Sequence, residues 1–323
     1  MSHINKYQES ISKFIKTRSC LATSESDNLR KLIECLVGES DKYGSILLLT
    51  VMNTQNKKNK MNVHGYDAAV AVEFLSYLIK IRNCKTRYED EFGITGEVIV
   101  YNLYSAVLKS VILSTEVTKR SLEDIDQYHK IHSQCLSLVI NDVPDLSIHE
   151  DAKRIPSIND NIYRFYLNTK PEYQEKYMSL TMYEPLALIN RYRISYCRIF
   201  QTAISLGWLL TGSTEKDLNE ITKVGVLFGF VHKIGGDFER IDDDLELAIT
   251  TNGKTDNYLL NCGLQKAYED YMNFKQSLIT ILMLHDLYSR TVKEMIEEID
   301  ERVDCFIEAS HPDLKSSYSQ ATH

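Results

Sequence analysis

Apolar residues recur at every third or fourth position over long stretches of this chain, and few residues interrupt the pattern. The last such stretch places Met295, Ile299 and Val303 on one face of a helix. Only 13 glycines and 5 prolines occur in 323 residues, and these two residue types most readily end a helix. The sequence therefore predicts an all-α protein with roughly ten to thirteen helices.

The domain organisation is expected to be simple. No internal repeat and no low-complexity tract divides the chain, so residues 1–323 are predicted to form a single domain. Segment 141–172 contains three of the five prolines and many Asn and Asp residues, which indicates a long surface excursion. Two shorter breaks between helices are expected at 53–65, which is rich in Asn and Lys, and at the charged segment 82–91.

Charge and cysteine content argue against several classes of function. The net charge is -8 and no long basic block occurs, so nucleic acid is not an expected partner. The 7 cysteines are scattered, and none has the spacing of a metal knuckle, which fits a reducing compartment. The N-terminus is polar, without a secretory signal, and no stretch approaches the length of a bilayer span. The protein is therefore expected to be soluble and cytoplasmic, with no membrane span.

The clearest indication of chemistry is an acidic string, Phe238 to Glu246, within a helical pattern. On a helix Asp242 and Glu246 are one turn apart and Asp243 lies beside them, so three carboxylates can converge on one point. Carboxylate oxygens suit Mg²⁺, which is usually held by a few carboxylates while water and substrate phosphate complete its shell. The string therefore indicates a magnesium and diphosphate site, and a solvated helix face is the alternative interpretation.

Five further segments occur in the order in which they are found in one known superfamily. They are Ala68–Leu75, Phe92-Gly93, Ser133–Leu138, Ser205–Gly212 and Gly235–Glu239, the last of which leads into the acidic string. Together with that string they resemble the trans-isoprenyl diphosphate synthases and class I terpene synthases over most of the chain. The resemblance implies an isoprenoid synthase fold, in which a single bundle of helices surrounds a central cavity. It also implies Mg²⁺ as the cofactor and an allylic prenyl diphosphate as the substrate.

The same resemblance implies roles for individual residues. The second aspartate-rich motif of the superfamily would bind Mg²⁺ and so assist the breaking of the allylic carbon–oxygen bond. Its catalytic and metal-binding residues in this chain are Asp242, Asp243 and Glu246. Cationic side chains would bind the diphosphate, since an arginine can contact phosphate through two nitrogen atoms. These are Arg191 and Arg193 upstream of the motif and Lys254 downstream of it.

Two parts of the superfamily pattern are altered. The first aspartate-rich motif would fall on Asn83–Arg87, which contains no carboxylate. Glu89 and Asp90 are the nearest acids that remain as metal ligands, and a charged helix end explains them equally well. The element that holds isopentenyl diphosphate would fall on Ser40–Ser45, where only Lys42 is retained. A chain that keeps a metal motif and loses its second-substrate site is expected to act on one substrate.

Three functions follow from these residues. The first is a Mg-dependent enzyme that ionises a single allylic diphosphate, such as farnesyl or geranylgeranyl diphosphate, as terpene synthases do. The second is a catalytically degenerate regulatory subunit that pairs with an active prenyltransferase. The third is a divergent chain-elongating farnesyl or geranylgeranyl diphosphate synthase. Proteins of this resemblance often pair through their helices, so a homodimer or a heterodimer with a prenyltransferase is an expected assembly.

Overall fold

The computed structural model describes residues 2–83, 85–122, 124–142, 154–156, 181–213, 217–250 and 255–310. The helices in these ranges are α1 (His3–Arg18), α2 (Asp27–Glu39), α3 (Tyr43–Asn59), α4 (Tyr66–Asn83), α5 (Lys85–Phe92), α6 (Gly96–Lys119), α7 (Ile125–Asp142), α8 (Pro185–Tyr192), α9 (Arg198–Leu210), α10 (Leu218–Glu239), α11 (Ile241–Thr250), α12 (Tyr258–Cys262), α13 (Leu264–Leu284) and α14 (Arg290–Ser310). A π-helical turn, Arg193–Cys197, joins α8 to α9 without a break.

The all-α prediction is confirmed. The described ranges hold fourteen α-helices, one more than the upper end of the predicted number. Their only strands are β1 (Arg154–Pro156) and β2 (Thr181–Tyr183), which pair antiparallel with Ile155 opposite Met182. Apart from residues 141–142 and β1, the predicted surface excursion at 141–172 lies outside the described residues.

The described chain divides into two compact units. The first unit comprises the described parts of Met1–Ser147, Arg198–Val226 and Leu282–Met295. The second comprises the described parts of Ile148–Cys197, Leu227–Ile281 and Ile296–His323. The single-domain organisation stays a prediction.

Helix α4 lies at the centre of the first unit, where it packs against α3, α6 and α9. Small side chains allow this close packing, since Ala68, Ala69 and Ala71 are all buried. Gly207 of α9 serves the same purpose, because a β-carbon there would lie 2.9 Å from the carbonyl oxygen of Leu48 in α3. Only glycine permits the two helix backbones to approach so closely.

In the second unit, helix α10 is fixed at two points. Gly229 faces the π-helical turn, and a β-carbon at this glycine would lie 2.5 Å from the α-carbon of Cys197. Phe238 near the other end of α10 is fully buried, and its ring meets those of Tyr271 and Phe306 edge-on at 6.4 and 5.7 Å. These contacts fix the end of α10 directly before the acidic string.

Two expected breaks prove to be largely helical. Helix α3 extends to Asn59. The loop prediction for 53–65 is therefore wrong for residues 53–59. The side chains of its polar end replace missing backbone partners: Asn56 donates to the carbonyl oxygen of Val63 at 2.7 Å, and Asn59 donates to that of Thr211 at 2.8 Å. Most of the charged segment 82–91 is likewise helical, at the end of α4 and in α5.

Helix α6 has the length and hydropathy of a membrane span, so the expectation that no stretch approaches the length of a bilayer span is wrong. Its most apolar window has a mean hydropathy of 1.4, and 44% of that window is buried inside the protein. Length and composition alone support a span here, and core helices of soluble proteins meet the same two criteria.

Candidate functional site

The acidic string begins a new helix. Helix α10 ends at Glu239, and α11 starts at Ile241 after a one-residue interruption. Ile241 and Leu245 are buried, whereas Asp242, Asp243 and Glu246 are exposed. The predicted ligands therefore lie on the solvent side of α11, in the first turn and one turn later. Acidic side chains at this end of a helix also interact favourably with its dipole, which is a structural reason for part of the string.

Asp244, in the same turn, has a buried hydrogen-bond partner. Its Oδ2 accepts a hydrogen bond from Nδ2 of Asn257 at 2.8 Å. The same Nδ2 donates to the carbonyl oxygen of Asp237, near the end of α10, at 2.9 Å. Asn257 is fully buried, so it joins the end of α10 to the first turn of α11.

The donor set of the string fits a magnesium ion that shares its coordination with other ligands. No group of three or more His, Cys, Asp or Glu side chains within the described ranges is arranged to hold a metal. Mg²⁺ does not require such a cage, because one or two carboxylates usually suffice when water and phosphate supply the other oxygens. The exposed carboxylates of Asp242 and Asp243 are hard-oxygen donors of this kind.

A buried charged cluster lies beside the string, in α10. Lys233 and Asp237 are one turn apart and form an ion pair, and both are almost completely buried. Asp237 also accepts hydrogen bonds from the hydroxyl group of Tyr192 and from the backbone N–H of Tyr258 at 2.9 Å. The ammonium of Lys233 lies 5.0 Å from the ring centroid of Tyr192 and 4.8 Å from that of Tyr196, which adds cation–π attraction.

Asp256 connects this cluster to α8 and the π-helical turn. Its carboxylate accepts from the Tyr196 hydroxyl at 2.9 Å and from Nε of Arg191 at 3.4 Å. Its other carboxylate oxygen lies 3.8 Å from Nζ of Lys233. Its carbonyl oxygen lies 2.5 Å from the Tyr192 hydroxyl oxygen, so the single proton of that hydroxyl has two acceptors, this carbonyl and Asp237. One short connector, residues 255–257, therefore contacts the buried charged cluster through Asp256 and the acidic string through Asn257.

The pKa shifts in the cluster follow from burial and pairing. Burial opposes the charge on Lys233, but Asp237 and the other acceptors around it outweigh burial, so the pKa of Lys233 is raised. Burial also opposes the charge on Asp256, yet Lys233 and Arg191 lower its pKa. Burial raises the pKa of Asp237, and Lys233 opposes that rise. A third cation, Arg240, also reaches Asp237, at 3.9 Å.

The structure places the predicted cationic residues in different surroundings. Arg191 of α8 is held through Nε by Asp256, and its guanidinium carbon lies 5.3 Å from the ring centroid of Tyr183. Its side chain is 20% exposed. Arg193 is exposed. Lys254 lies outside the described residues.

Lys42, in the first unit, has two backbone partners. It is 5% exposed, and its ammonium donates to the carbonyl oxygens of Val37 at 2.7 Å and Ser40 at 2.8 Å. Burial lowers the pKa of Lys42, and Glu73 opposes that shift. Glu73 is itself buried and accepts from the hydroxyl groups of Ser40 and Ser45 at 2.8 and 2.7 Å. Lys42 thus stabilises the connection between α2 and α3.

The acids nearest to the missing first motif lie in α5, also in the first unit. Glu89 accepts a hydrogen bond from the backbone N–H of Gly96 at 2.5 Å, so it caps the start of α6. Asp90 is exposed. Their assignment as metal ligands stays a prediction, as do the assignments of Asp242, Asp243 and Glu246 and of the four cationic residues.

The second unit also contains a groove. It lies between the end of α10 and α14, has a volume of about 600 Å³ and is lined by Phe238, Glu239, Glu298, Glu301, Arg302, Cys305 and Phe306. None of the predicted ligands lines this groove.

Sequence reasoning missed the residues that organise the site from within. Lys233, Asp237, Asp256 and Asn257 were not singled out, although all four are buried or half-buried around the acidic string. One signal was present: Lys233 and Asp237 are spaced by four positions inside an otherwise apolar helical stretch. Charges at such positions are rarely buried unless they are paired.

The solved structures to which this chain is similar include geranyltransferases and a geranylgeranyl pyrophosphate synthetase. A geranyltranstransferase from Thermotoga maritima has a TM-score of 0.55 and 14% identity, with 94% of this chain and 99% of that chain covered. A geranylgeranyl pyrophosphate synthetase from the archaeon Geoglobus acetivorans has a TM-score of 0.54 and 13% identity, with 94% and 90% covered. A Helicobacter pylori geranyltransferase complexed with magnesium and isoprenyl diphosphate has a TM-score of 0.53 and 12% identity, with 96% and 98% covered.

No family model and no curated protein matches the chain. At these identities the likeness establishes the fold alone: the described residues adopt the all-α fold of these isoprenyl diphosphate synthases. The predicted resemblance is confirmed at this level.

Proposed function

Because the chain has the isoprenoid synthase fold, we propose that it is a Mg²⁺-dependent protein of isoprenoid metabolism that ionises a single allylic prenyl diphosphate. The substrate class includes farnesyl and geranylgeranyl diphosphate. Asp242 and Asp243, assisted by Glu246, would hold the ion. When bound, Mg²⁺ would neutralise the charge that develops on the diphosphate as it leaves.

The surroundings of Lys42 are the observation that carries the choice of one substrate. A chain-elongating enzyme must bind the diphosphate of a second substrate, and Lys42 is the only retained cation of that element. Its ammonium directs two of its three N–H groups to the carbonyl oxygens of Val37 and Ser40 and is 5% exposed. This arrangement supports a structural role for Lys42 and disfavours chain elongation.

The chain's own groups have separate roles in this proposal. The exposed Asp242 and Asp243 present oxygen donors, while Asp244 is engaged by Asn257. Arg191 is oriented by Asp256 and Tyr183, and a guanidinium held through Nε leaves its two terminal amino groups for phosphate oxygens. Arg191 would thereby bind the diphosphate and retain it after the bond breaks.

A catalytically degenerate regulatory subunit is the second candidate. The specific observation in its favour is that Glu89, the acid closest to the altered first motif, caps α6. If Glu89 is committed to that cap, one metal-binding motif is lost. A partner of the same fold would then supply the catalysis.

Product analysis distinguishes these functions. Purified protein is incubated with Mg²⁺ and farnesyl or geranylgeranyl diphosphate, with and without isopentenyl diphosphate. The proposal predicts a hydrocarbon or alcohol from the allylic diphosphate alone. Longer diphosphates that form only with isopentenyl diphosphate would establish chain elongation instead. No product in either assay, together with co-purification of an active homologue, would establish the regulatory subunit.

Two substitutions test the assigned residues. Asp242→Asn should lower activity by about a hundredfold or more, since a metal contact contributes several kcal/mol to the transition state. Lys42→Met should leave activity per folded molecule within about twofold, because Lys42 is assigned a structural role. Asp286→Asn is the matched control for the first change, as it removes an exposed carboxylate that forms a surface ion pair with Lys58. Unchanged activity in Asp242→Asn would refute the metal assignment.

The proposal extends to assembly. Helix α6 exposes Val98, Tyr101 and Ile112, and Tyr101 is 72% exposed. Helix α7, which packs against α6, exposes Ile125 and Ile140. Apolar side chains on neighbouring helices support pairing through this face, with a second copy or with a related prenyltransferase.

A further inference from the structure

Asn257 has an unusually complete set of hydrogen bonds. Its Oδ1 accepts from the backbone N–H groups of Leu259 at 3.0 Å and Leu260 at 3.3 Å, which caps helix α12. Its Nδ2 donates to the carbonyl oxygen of Asp237 at 2.9 Å and to the carboxylate of Asp244 at 2.8 Å. An amide side chain offers two donors and two acceptor positions, and all four are used here. Asn257 is also fully buried.

These bonds divide the acidic string into two kinds of carboxylate. Asp244 is engaged with Asn257 and fixes the first turn of α11 to the end of α10. Asp242 and Asp243 belong to the same turn but are exposed. Because one helical turn moves as a unit, the contact at Asp244 determines where its exposed neighbours are held.

Asp256 gives the connector a second function. Its carboxylate contacts Arg191 and Lys233, while the adjacent Asn257 contacts Asp244. Two consecutive residues therefore hold a cationic side chain on one element and an acidic turn on another. The connector thus contacts both the proposed diphosphate-binding Arg191 and the proposed metal-binding turn, in addition to the direct bond between Tyr192 and Asp237.

The geometry points to Asn257 as a positioning residue, which through Asp244 holds the first turn of α11 in register with Arg191 for a magnesium-bound diphosphate. The inference rests on the proposed function. Asn257 itself touches neither metal nor substrate in this assignment. Its effect is carried by its two donated hydrogen bonds, and its capping of α12 is a separate, structural contribution.

Asn257→Ser separates these contributions. Serine is a good N-cap, so the start of α12 is kept, but its short side chain cannot reach Asp244. Amide hydrogen exchange in α11 should become about tenfold faster or more without ligand, since a hydrogen bond to a charged group is lost. Titration calorimetry should show that inorganic pyrophosphate with Mg²⁺ binds about tenfold more weakly. Asn273→Ser, at an exposed position of α13, is the matched control and should change neither quantity.

Two variants of Asp244 test the same contact from its other side and keep Asn257 intact. Asp244→Ala removes the acceptor and should reproduce both effects of Asn257→Ser. Asp244→Asn keeps an oxygen that can accept from Asn257, so it should restore slow exchange and pyrophosphate binding to within about threefold of wild type. If the charge of Asp244 served the metal directly, Asp244→Asn would be as damaging as Asp244→Ala, and the inference would be wrong.

The outcomes separate this inference from the function on which it rests. Wild-type protein that binds no pyrophosphate with Mg²⁺ would overturn the proposed function. Wild-type binding that stays equally tight in Asn257→Ser and Asp244→Ala would overturn the positioning role alone. Unchanged exchange in α11 in both variants would show that the contact does not hold the turn, and it too would overturn the role.

Discussion

At the residue scale, the least expected feature is a lysine that is charged and buried. Lys233 lies in a helical stretch whose other residues are largely apolar. Nothing in the local sequence pattern predicts that Asp256 lies beside it. The four-residue spacing to Asp237 was visible, whereas Asp256 and Tyr196 reach the cluster from other elements. Contacts between residues distant in sequence depend on tertiary packing, which local patterns do not specify. The acidic string, in contrast, was identifiable because its carboxylates are consecutive.

The same cluster predicts an alkaline limit of stability. Burial raises the pKa of Tyr192, and the nearby Asp237 raises it further. Burial also raises the pKa of Tyr196, although Lys233 opposes that rise. The pKa of Lys233 is raised as well. In the unfolded chain tyrosine and lysine release their protons near pH 10 to about 10.4. The folded protein then holds more protons than the unfolded one, so the free energy of unfolding falls as pH rises past about 10. Each retained proton contributes about 1.4 kcal/mol per pH unit.

Tyr196→Phe removes one of these titrating groups, the Tyr196 hydroxyl. Urea denaturation between about pH 9 and 11 should show a shallower fall in the free energy of unfolding, by up to about 1.4 kcal/mol per pH unit. Tyr101→Phe is the control, because Tyr101 is 72% exposed and its hydroxyl is not part of the cluster. Equal slopes in wild type and Tyr196→Phe would contradict the prediction.

At the element scale, helical periodicity predicted the long apolar helices well and their polar ends poorly. The stretch around Ala68–Ile81 is helical as expected, in α4. Residues 53–59 read as a loop because they are polar, yet they continue α3. Gln55 in this stretch is buried, and Asn56 and Asn59 bond to neighbouring backbone. A polar composition therefore predicted a loop wrongly here, because these polar side chains bond to the backbone of neighbouring segments and the helix continues.

The π-helical turn is a second element that periodicity does not reveal. A π turn corresponds to one extra residue in an α-helix, and such turns often occur at functional sites. Here it directly follows Arg191 and Tyr192, and its own Tyr196 also bonds Asp256. The extra residue sets the rotation of α8 relative to Cys197, and thereby the direction in which Arg191 extends.

Deletion of Ile194 tests this element. The deletion should convert the π turn into regular α-helix and rotate Arg191 and Tyr192 by about 100° relative to Cys197. Far-UV circular dichroism should change little, whereas the urea midpoint should fall, because Asp237 and Asp256 lose hydrogen bonds from α8. Ile194→Ala keeps the turn and should shift the free energy of unfolding by no more than about 0.5 kcal/mol. A deletion variant as stable as wild type would show that the turn does not orient α8.

At the scale of the whole molecule, the proposed assembly explains the apolar surface of α6. A helix of 24 residues is about 36 Å long, and specific interfaces bury about 800 Å² on each partner. One helical stripe is too narrow for that area, so α7 with its exposed Ile125 and Ile140 is expected to contribute.

We expect wild-type protein to sediment as a dimer at micromolar concentration and Tyr101→Glu to sediment as a monomer, because a charge would be buried without a partner in the interface. Leu186→Glu is the matched control, since Leu186 of α8 is 76% exposed but does not belong to the α6–α7 face. The test is analytical ultracentrifugation over a concentration series, with circular dichroism to establish that each variant is folded. A wild-type protein that is monomeric alone, but dimeric after addition of an active prenyltransferase, would favour the regulatory subunit. Dimers that survive Tyr101→Glu unchanged would place the interface elsewhere.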